Sequence, residues 1–121
     1  MSSAWKDRFA HEIRSARAAR QQGNEGQARV CARRAAGAAI RAYLDAKGYF
    51  APPASAYELC RLLLDCPDVQ SEVRAIAARL LLRVNEEHDL PPGVDLIEDA
   101  FRLTSLLGLD PEIDPNALCP R

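Results

Sequence analysis

The sequence predicts an all-α protein, an antiparallel bundle of four main helices and one short helix. Apolar residues recur at three- and four-residue steps along most of the chain. β-branched residues are few, and no two-residue alternation of the kind that marks strands persists. Connections between the helical segments are short, which is typical of antiparallel helical neighbours. At 121 residues the chain is long enough for one domain, predicted over residues 1–108, with a proline-rich tail over 109–121.

Two long helices open the chain. The first is predicted over residues 3–22, and Gly23 and Asn24 interrupt it. The second is predicted over residues 25–47, with Gly48 as a left-handed C-terminal cap. The apolar face of the first helix is Trp5, Phe9, Ile13 and Ala16, and that of the second is Ala28, Cys31, Ala32, Ala35, Ala36, Ala39, Ile40, Tyr43 and Leu44. The two helices should form an αα-hairpin, and the many alanines allow close helix packing.

A short third helix is predicted over residues 56–65. Ser55 and Glu58 have the spacing of a capping box, in which each side chain satisfies a backbone N–H of the first turn. The apolar residues of this helix are Leu59, Cys60, Leu62 and Leu63.

The fourth and fifth helices complete the bundle. The fourth is predicted over residues 68–87, after Pro67 and before the breaker sequence DLPPG at 89–93. The fifth is predicted over residues 94–107. Their apolar faces are Val69, Val73, Ile76, Ala77, Leu80, Leu81 and Val84, and then Leu96, Ile97, Ala100, Phe101, Leu103 and Leu107.

Composition excludes several classes of protein. Apolar residues make up 48% of the chain and charged residues 27%, as in soluble globular proteins. No apolar run approaches the roughly 18 residues that a membrane span needs. The N-terminal residues lack the apolar core of a secretory signal, so a cytoplasmic location is expected.

The cysteines and histidines do not form a metal-binding pattern. None of the cysteine pairs has CxxC spacing, so neither a metal nor a cofactor is expected. Cys31 and Cys60 fall on apolar faces and are interpreted as small core hydrophobes. His11 lies in the arginine-rich first helix and is expected at the surface.

Charge is distributed unevenly along the chain. Residues 1–44 hold nine basic and three acidic residues, whereas residues 45–121 hold seven basic and fourteen acidic ones. The basic half is suited to phosphates, or to the acidic half of a second copy of the chain. The net charge of −1 argues against a dedicated DNA-binding module.

Two segments carry a resemblance to a known family. Residues 23–48 read GNEGQARVCARRAAGAAIRAYLDAKG, and residues 83–88 read RVNEEH. Together they resemble the HEPN family of small all-helical proteins, many of which cut RNA with an Arg-x4-6-His motif. The resemblance implies a homodimer in a toxin–antitoxin or defence system, and a nucleotidyltransferase-type partner protein.

The resemblance gives three residues a role in a metal-independent RNA endonuclease. Arg83 would hold the phosphate, because its planar fork matches phosphate geometry and keeps its charge. His88 would take the proton from a ribose 2′-hydroxyl, and Asn85 would assist. On a regular helix, Arg83 and His88 are separated by about 140° of rotation and 7.5 Å of rise. A site therefore needs a distorted helix end or two copies of the chain.

Other interpretations stay open. Catalytic HEPN proteins usually have a polar residue directly after the arginine, where this chain has Val84. The alternatives are a non-catalytic HEPN-like module for dimerisation, nucleotide binding or protein interaction, and an unrelated bundle. Base stacking by an aromatic residue would suit RNA binding. Trp5 and Tyr43 fall on core faces, Tyr57 is a further aromatic, and Tyr49 and Phe50 are predicted to be exposed.

Overall fold

Helical repetition of apolar residues produces the five helices of the computed structural model, which describes residues 4–48, 55–66, 69–81 and 95–111. All regular secondary structure in these ranges is helical, which confirms the predicted all-α class. None of the helices described is long and apolar enough to cross a membrane. The helices are α1 (Ala4–Gln21), α2 (Glu25–Ala46), α3 (Ala56–Leu64), α4 (Ser71–Leu80) and α5 (Leu96–Leu106).

Helix α2 is the centre of the fold, because it contacts each of the other four helices. Its buried face is made almost entirely of small residues, which project little from the helix and allow neighbouring backbones to approach. The predicted apolar face is confirmed except at Tyr43, which is only partly buried. The fully or nearly fully buried small residues are Ala28, Cys31, Ala32, Ala35, Ala36, Gly37 and Ala39.

Helices α1 and α2 form the predicted hairpin. At the turn, the side chain of Asn24 accepts a hydrogen bond from the backbone N–H of Gln27 and caps α2. At the far end of α2, Gly48 has φ 78°, the left-handed conformation expected of its cap. The α1 core residues Phe9 and Ile13 are fully buried, and Trp5 packs against the core from its edge.

The start of α3 is confirmed, and one of its four apolar residues is exposed. Ser55 and Glu58 form both halves of the capping box. Leu59, Cys60 and Leu63 are buried, but Leu62 is 44% exposed. Helix α3 contacts α2 and α4, and Leu62 lies outside the narrow arc of the helix that faces those two neighbours.

Helix α4 begins later than predicted. Gln70 has extended backbone geometry, with ψ 152°, and the helix starts at Ser71 rather than at residue 68. The guanidinium of Arg74 donates a 2.8 Å hydrogen bond to the carbonyl of Cys66, which ties the helix to the end of α3. The described helix ends at Leu80, and the predicted continuation to residue 87 falls outside the described residues.

Helix α5 begins where predicted to within two residues and is tied to α4 by charge. Asp95 caps its N-terminus by accepting from the N–H groups of Ile97 and Glu98. Arg79 of α4 donates two hydrogen bonds to Asp99, of 2.9 and 3.0 Å. The Asp99 side chain is 14% exposed and that of Arg79 is 38% exposed, so solvent screens this pair less than a fully exposed surface ion pair.

The crossing of α2 and α3 leads to a stability test. A Cβ at Gly37 would lie 2.9 Å from the Cβ of Ala56 and 3.1 Å from its Cα, so α3 must move to accommodate Gly37→Ala. We expect the free energy of unfolding to fall by roughly 1–2 kcal/mol, since overpacking outweighs the gain in helix propensity. Urea denaturation at 25 °C measures this change.

Gly26→Ala is the matched control on the same helix. There the new Cβ meets only an Asn24 oxygen at 3.8 Å, so the substitution should be neutral or stabilising by up to about 1 kcal/mol. Equal free energies of unfolding for the two variants would show that the helix crossing is not tightly packed at Gly37.

Candidate functional site

The predicted catalytic residues Arg83, Asn85 and His88 lie in the segment 82–94, outside the described residues. The chain enters this segment at the end of α4 and leaves it at Asp95, the cap of α5. The structure therefore describes the two flanks of the motif and not the motif itself. The proposed roles of the three residues remain predictions.

Two arginines of the basic half hold these flanks. Arg33 of α2 donates a 3.0 Å hydrogen bond from Nε to the backbone carbonyl of Leu80, at the last turn of α4. Arg20 of α1 donates a 3.1 Å hydrogen bond to Asp95 and a 3.0 Å one to Glu25. Arginine contacts thus reach both ends of the segment that carries the motif.

The pKa values of the two arginines shift in opposite directions. Burial lowers the pKa of Arg33, and the nearby positive charge of Arg29 lowers it further. Burial alone would lower the pKa of Arg20 as well, but its hydrogen bonds to Glu25 and Asp95 raise it above the usual value. Arg20 is therefore a locked structural cation, whereas Arg33 is a cation in a region of positive potential.

An open groove of about 870 Å³ is lined by α1, α2, the start of α3 and Leu109, which follows α5. One wall comes from the first turns of α1, with Trp5 and Arg8, and the opposite wall from α2, with Arg34 and Arg41. The floor is made of small residues, because Gly37, Ala38, Ala42 and Ala46 of α2 and Ala56 of α3 leave the space between the long side chains open.

The charge of the groove is mainly positive. Arg8, Arg34 and Arg41 line it, and Asp45 is the acidic residue among its lining residues. Arg8 approaches the buried carboxylate of Glu12 at 3.6 Å, but its own side chain is 68% exposed. Arg34 is exposed and forms no ion pair with a residue that the structure describes. An anionic ligand would meet guanidinium groups from both walls.

Helical periodicity brings these arginines together. Arg34, Ala38 and Arg41 are spaced by four and three residues and so lie along one stripe of α2. Antiparallel packing of the hairpin then places the N-terminal turns of α1 beside the C-terminal half of α2. The stripe is visible in the sequence, but its wall on α1 is not, because that wall depends on the register of the hairpin.

Helix α3, whose first residues line the groove, also carries an exposed aromatic side chain. Tyr57 is 42% exposed, and the guanidinium of Arg33 lies 5.7 Å from the centroid of its ring. No pattern in the sequence indicates this exposure. The aromatics predicted to be exposed, Tyr49 and Phe50, lie outside the described residues.

The cysteines and His11 take the places that the sequence predicted. His11 is exposed, and Cys31 and Cys60 are buried with free thiols. Burial raises the pKa of Cys31 and raises that of Cys60 to about 12, which leaves both thiols poorly suited to act as nucleophiles. In the part of the chain that the structure describes, no group of three or more His, Cys, Asp or Glu residues is placed to hold a metal ion.

No protein-family model matches the chain, and comparisons with curated proteins and with solved structures return no match.

The buried thiols give a chemical test of this part of the fold. At pH 8, a pKa of about 12 makes the thiolate fraction of Cys60 roughly 1,000-fold lower than that of an ordinary thiol. We expect iodoacetamide to alkylate the half-buried Cys66 in the native protein and to leave Cys60 unmodified, as read by peptide mass spectrometry.

In 8 M urea, both cysteines should react at similar rates, because the difference arises from folding. Native-state labelling of Cys60 as fast as Cys66 would contradict the buried position of the α3 thiol.

Proposed function

We propose that this protein is an RNA-binding helical protein of HEPN-like type, and that its arginine-lined groove holds the RNA backbone. The observation that carries the proposal is the placement of Arg8 and Arg34 on opposite walls of an open groove with a small-residue floor. Proteins that bind single strands combine such a positive groove with aromatic side chains.

The spacing of the arginines favours a polymer over a single phosphate. Arg34 and Arg41 are seven residues apart on one helix, or about 10 Å along its axis. Two side chains rooted that far apart are better placed for successive phosphates than for one phosphate group. Among the described lining residues, Asp45 stands against three arginines, and a polyanion would neutralise this positive balance.

Trp5 adds an apolar surface to the same groove. A ribose or base can pack against such a surface while its phosphates meet the arginines. The choice of RNA over DNA comes from the resemblance to HEPN proteins.

The second part of the proposal is cleavage without a metal. Arg83 would stabilise the charge that develops on the phosphate, His88 would take the 2′-hydroxyl proton, and Asn85 would assist. The products would be a 2′,3′-cyclic phosphate and a 5′-hydroxyl. A homodimer with the two motifs at its two-fold interface would bring the separated residues together. A toxin–antitoxin or defence role in the cytoplasm, with a nucleotidyltransferase-type partner, belongs to the same proposal.

A non-catalytic module is the second candidate function. It is favoured by the groove itself, since described residues of α1, α2 and α3, with Leu109, line it within a single chain. Such a protein would bind RNA or a nucleotide through the arginines and would not cut it.

Substitution of Arg34 tests RNA binding in the groove. In the His88→Ala background, which prevents cleavage, we expect Arg34→Ala to weaken binding of a fluorescein-labelled 20-nucleotide single-stranded RNA several-fold. The slope of log K against log salt should become shallower by about 0.7, because one phosphate contact is lost. Fluorescence anisotropy in EDTA at several salt concentrations measures both.

Arg14→Ala is the matched control, since Arg14 is an exposed α1 arginine outside the groove lining. Its affinity should stay within twofold of the His88→Ala parent. The groove assignment fails if the two arginine substitutions weaken binding equally, or if the His88→Ala parent binds no RNA at low salt.

Cleavage is tested with the unsubstituted chain in excess EDTA. We expect it to cut single-stranded RNA to cyclic-phosphate ends, and Arg83→Ala and His88→Ala each to lower the rate at least 100-fold, in line with loss of a general base or of charge stabilisation. Gel analysis with end-group mapping of the products reads the result. RNA that is bound but not cut, across several sequences, would reject the endonuclease and support the non-catalytic module.

A further inference from the structure

Tyr57 is an exposed aromatic residue in a molecule whose other described aromatic rings are mostly packed. Phe9 forms edge-to-face contacts with Trp5, at a centroid distance of 6.3 Å, and with Phe101, at 5.1 Å. Tyr57 is 42% exposed, so packing against the neighbouring helices leaves much of its side chain in contact with solvent. Its exposed ring carries a large apolar area that the core does not use.

A cation fixed in place lies beside the ring. The Arg33 guanidinium is 5.7 Å from the ring centroid, and its Nε donates to the Leu80 carbonyl at 3.0 Å. Arg33 is therefore held from α4 while it contacts the tyrosine on α3. This arrangement restricts the ring and leaves a positive charge next to it.

Tyr57 is also close to the proposed RNA groove. Ser55 and Ala56, the two residues that precede it, line the groove at the start of α3. On α2, Arg33 beside the ring is adjacent in sequence to Arg34 of the groove wall. The first turn of α3 thus contributes Ser55 and Ala56 to the groove and carries Tyr57 next to them, so a strand whose phosphates lie along the groove would pass the end of α3 that carries the tyrosine.

We infer that Tyr57 is a stacking platform for an unpaired base of the bound RNA, with Arg33 as the cation that supports it. The inference rests on the proposed RNA-binding function and narrows the ligand to single-stranded RNA, because bases in a duplex do not present a free face. Stacking on a tyrosine is tolerant of sequence, since each base has a π-face, and the adjacent guanidinium adds to the attraction.

Two substitutions of Tyr57 distinguish stacking on the ring from a role of the hydroxyl group or of apolar bulk. Tyr57→Phe keeps the π-face and should bind as the parent does, whereas Tyr57→Leu keeps apolar bulk without the π-face. Leu62→Ala is the matched control, because Leu62 is an exposed apolar residue of the same helix, with 44% exposure.

The test compares normal and abasic RNA of equal length by anisotropy, with all variants in the His88→Ala background. We expect Tyr57→Leu to weaken binding of the normal RNA about tenfold, which is within the range of one base–aromatic stack. Binding of the abasic RNA should not change, since it has phosphates and no base to stack. Tyr57→Phe and Leu62→Ala should stay within twofold for both ligands.

Two results would overturn the inference while leaving RNA binding intact. One is an unchanged affinity of Tyr57→Leu for normal RNA when Arg34→Ala still weakens it, as expected if the tyrosine serves a protein partner instead. The other is an equal loss for normal and abasic RNA, which would indicate a structural effect. If Arg34→Ala has no effect either, the proposed function itself fails.

Discussion

The structure depends on the close approach of four helices to a single central one. Helix α2 contacts each of the other helices, which is possible because its buried face is mostly alanine, cysteine and glycine, with Ile40 and Leu44 towards its C-terminal end. At Gly37 the approach of α3 leaves no room for a Cβ, since that atom would lie 2.9 Å from Ala56. Larger side chains along this face would push the neighbours outward and open the shared core. The same helix carries the groove arginines on a different stripe, so the packing that builds the core also positions the candidate site.

The arginines divide into two groups with different tasks. Arg20, Arg33 and Arg79 are tied to backbone or carboxylate oxygens and hold helices or segment ends together. Arg8 and Arg34 extend into the groove and remain largely exposed. The uneven charge of the two halves of the chain is thus partly satisfied within one molecule, since Arg20 from the basic half binds Asp95 from the acidic half. Arg8 and Arg34 form a locally positive surface on a protein whose net charge is −1.

Sequence patterns were most reliable where the controlling interaction is local. The capping box of Ser55 and Glu58 and the left-handed Gly48 follow from residue types within one turn, and both are confirmed. The predictions failed where a neighbouring helix decides. Leu62 fits an apolar pattern but faces away from α2 and α4, and α4 starts at Ser71 because the chain before it is extended. The Arg83 and His88 motif lies in the segment 82–94, outside the described residues, so both its local geometry and its neighbours stay predictions.

Local sequence patterns specify that this protein is helical, where most helices begin and end, and which faces are apolar, because these properties arise from contacts within a few residues. Which arginines tie helices together and which line a groove depends instead on how the helices pack. The same packing left Tyr57 exposed beside Arg33 while Phe9 and Phe101 became packed. Whether a side chain at the edge of an apolar face is buried or exposed depends on which helix packs there and at what register. No local pattern encodes that choice, and in this protein it separates a core of small residues from a candidate RNA surface.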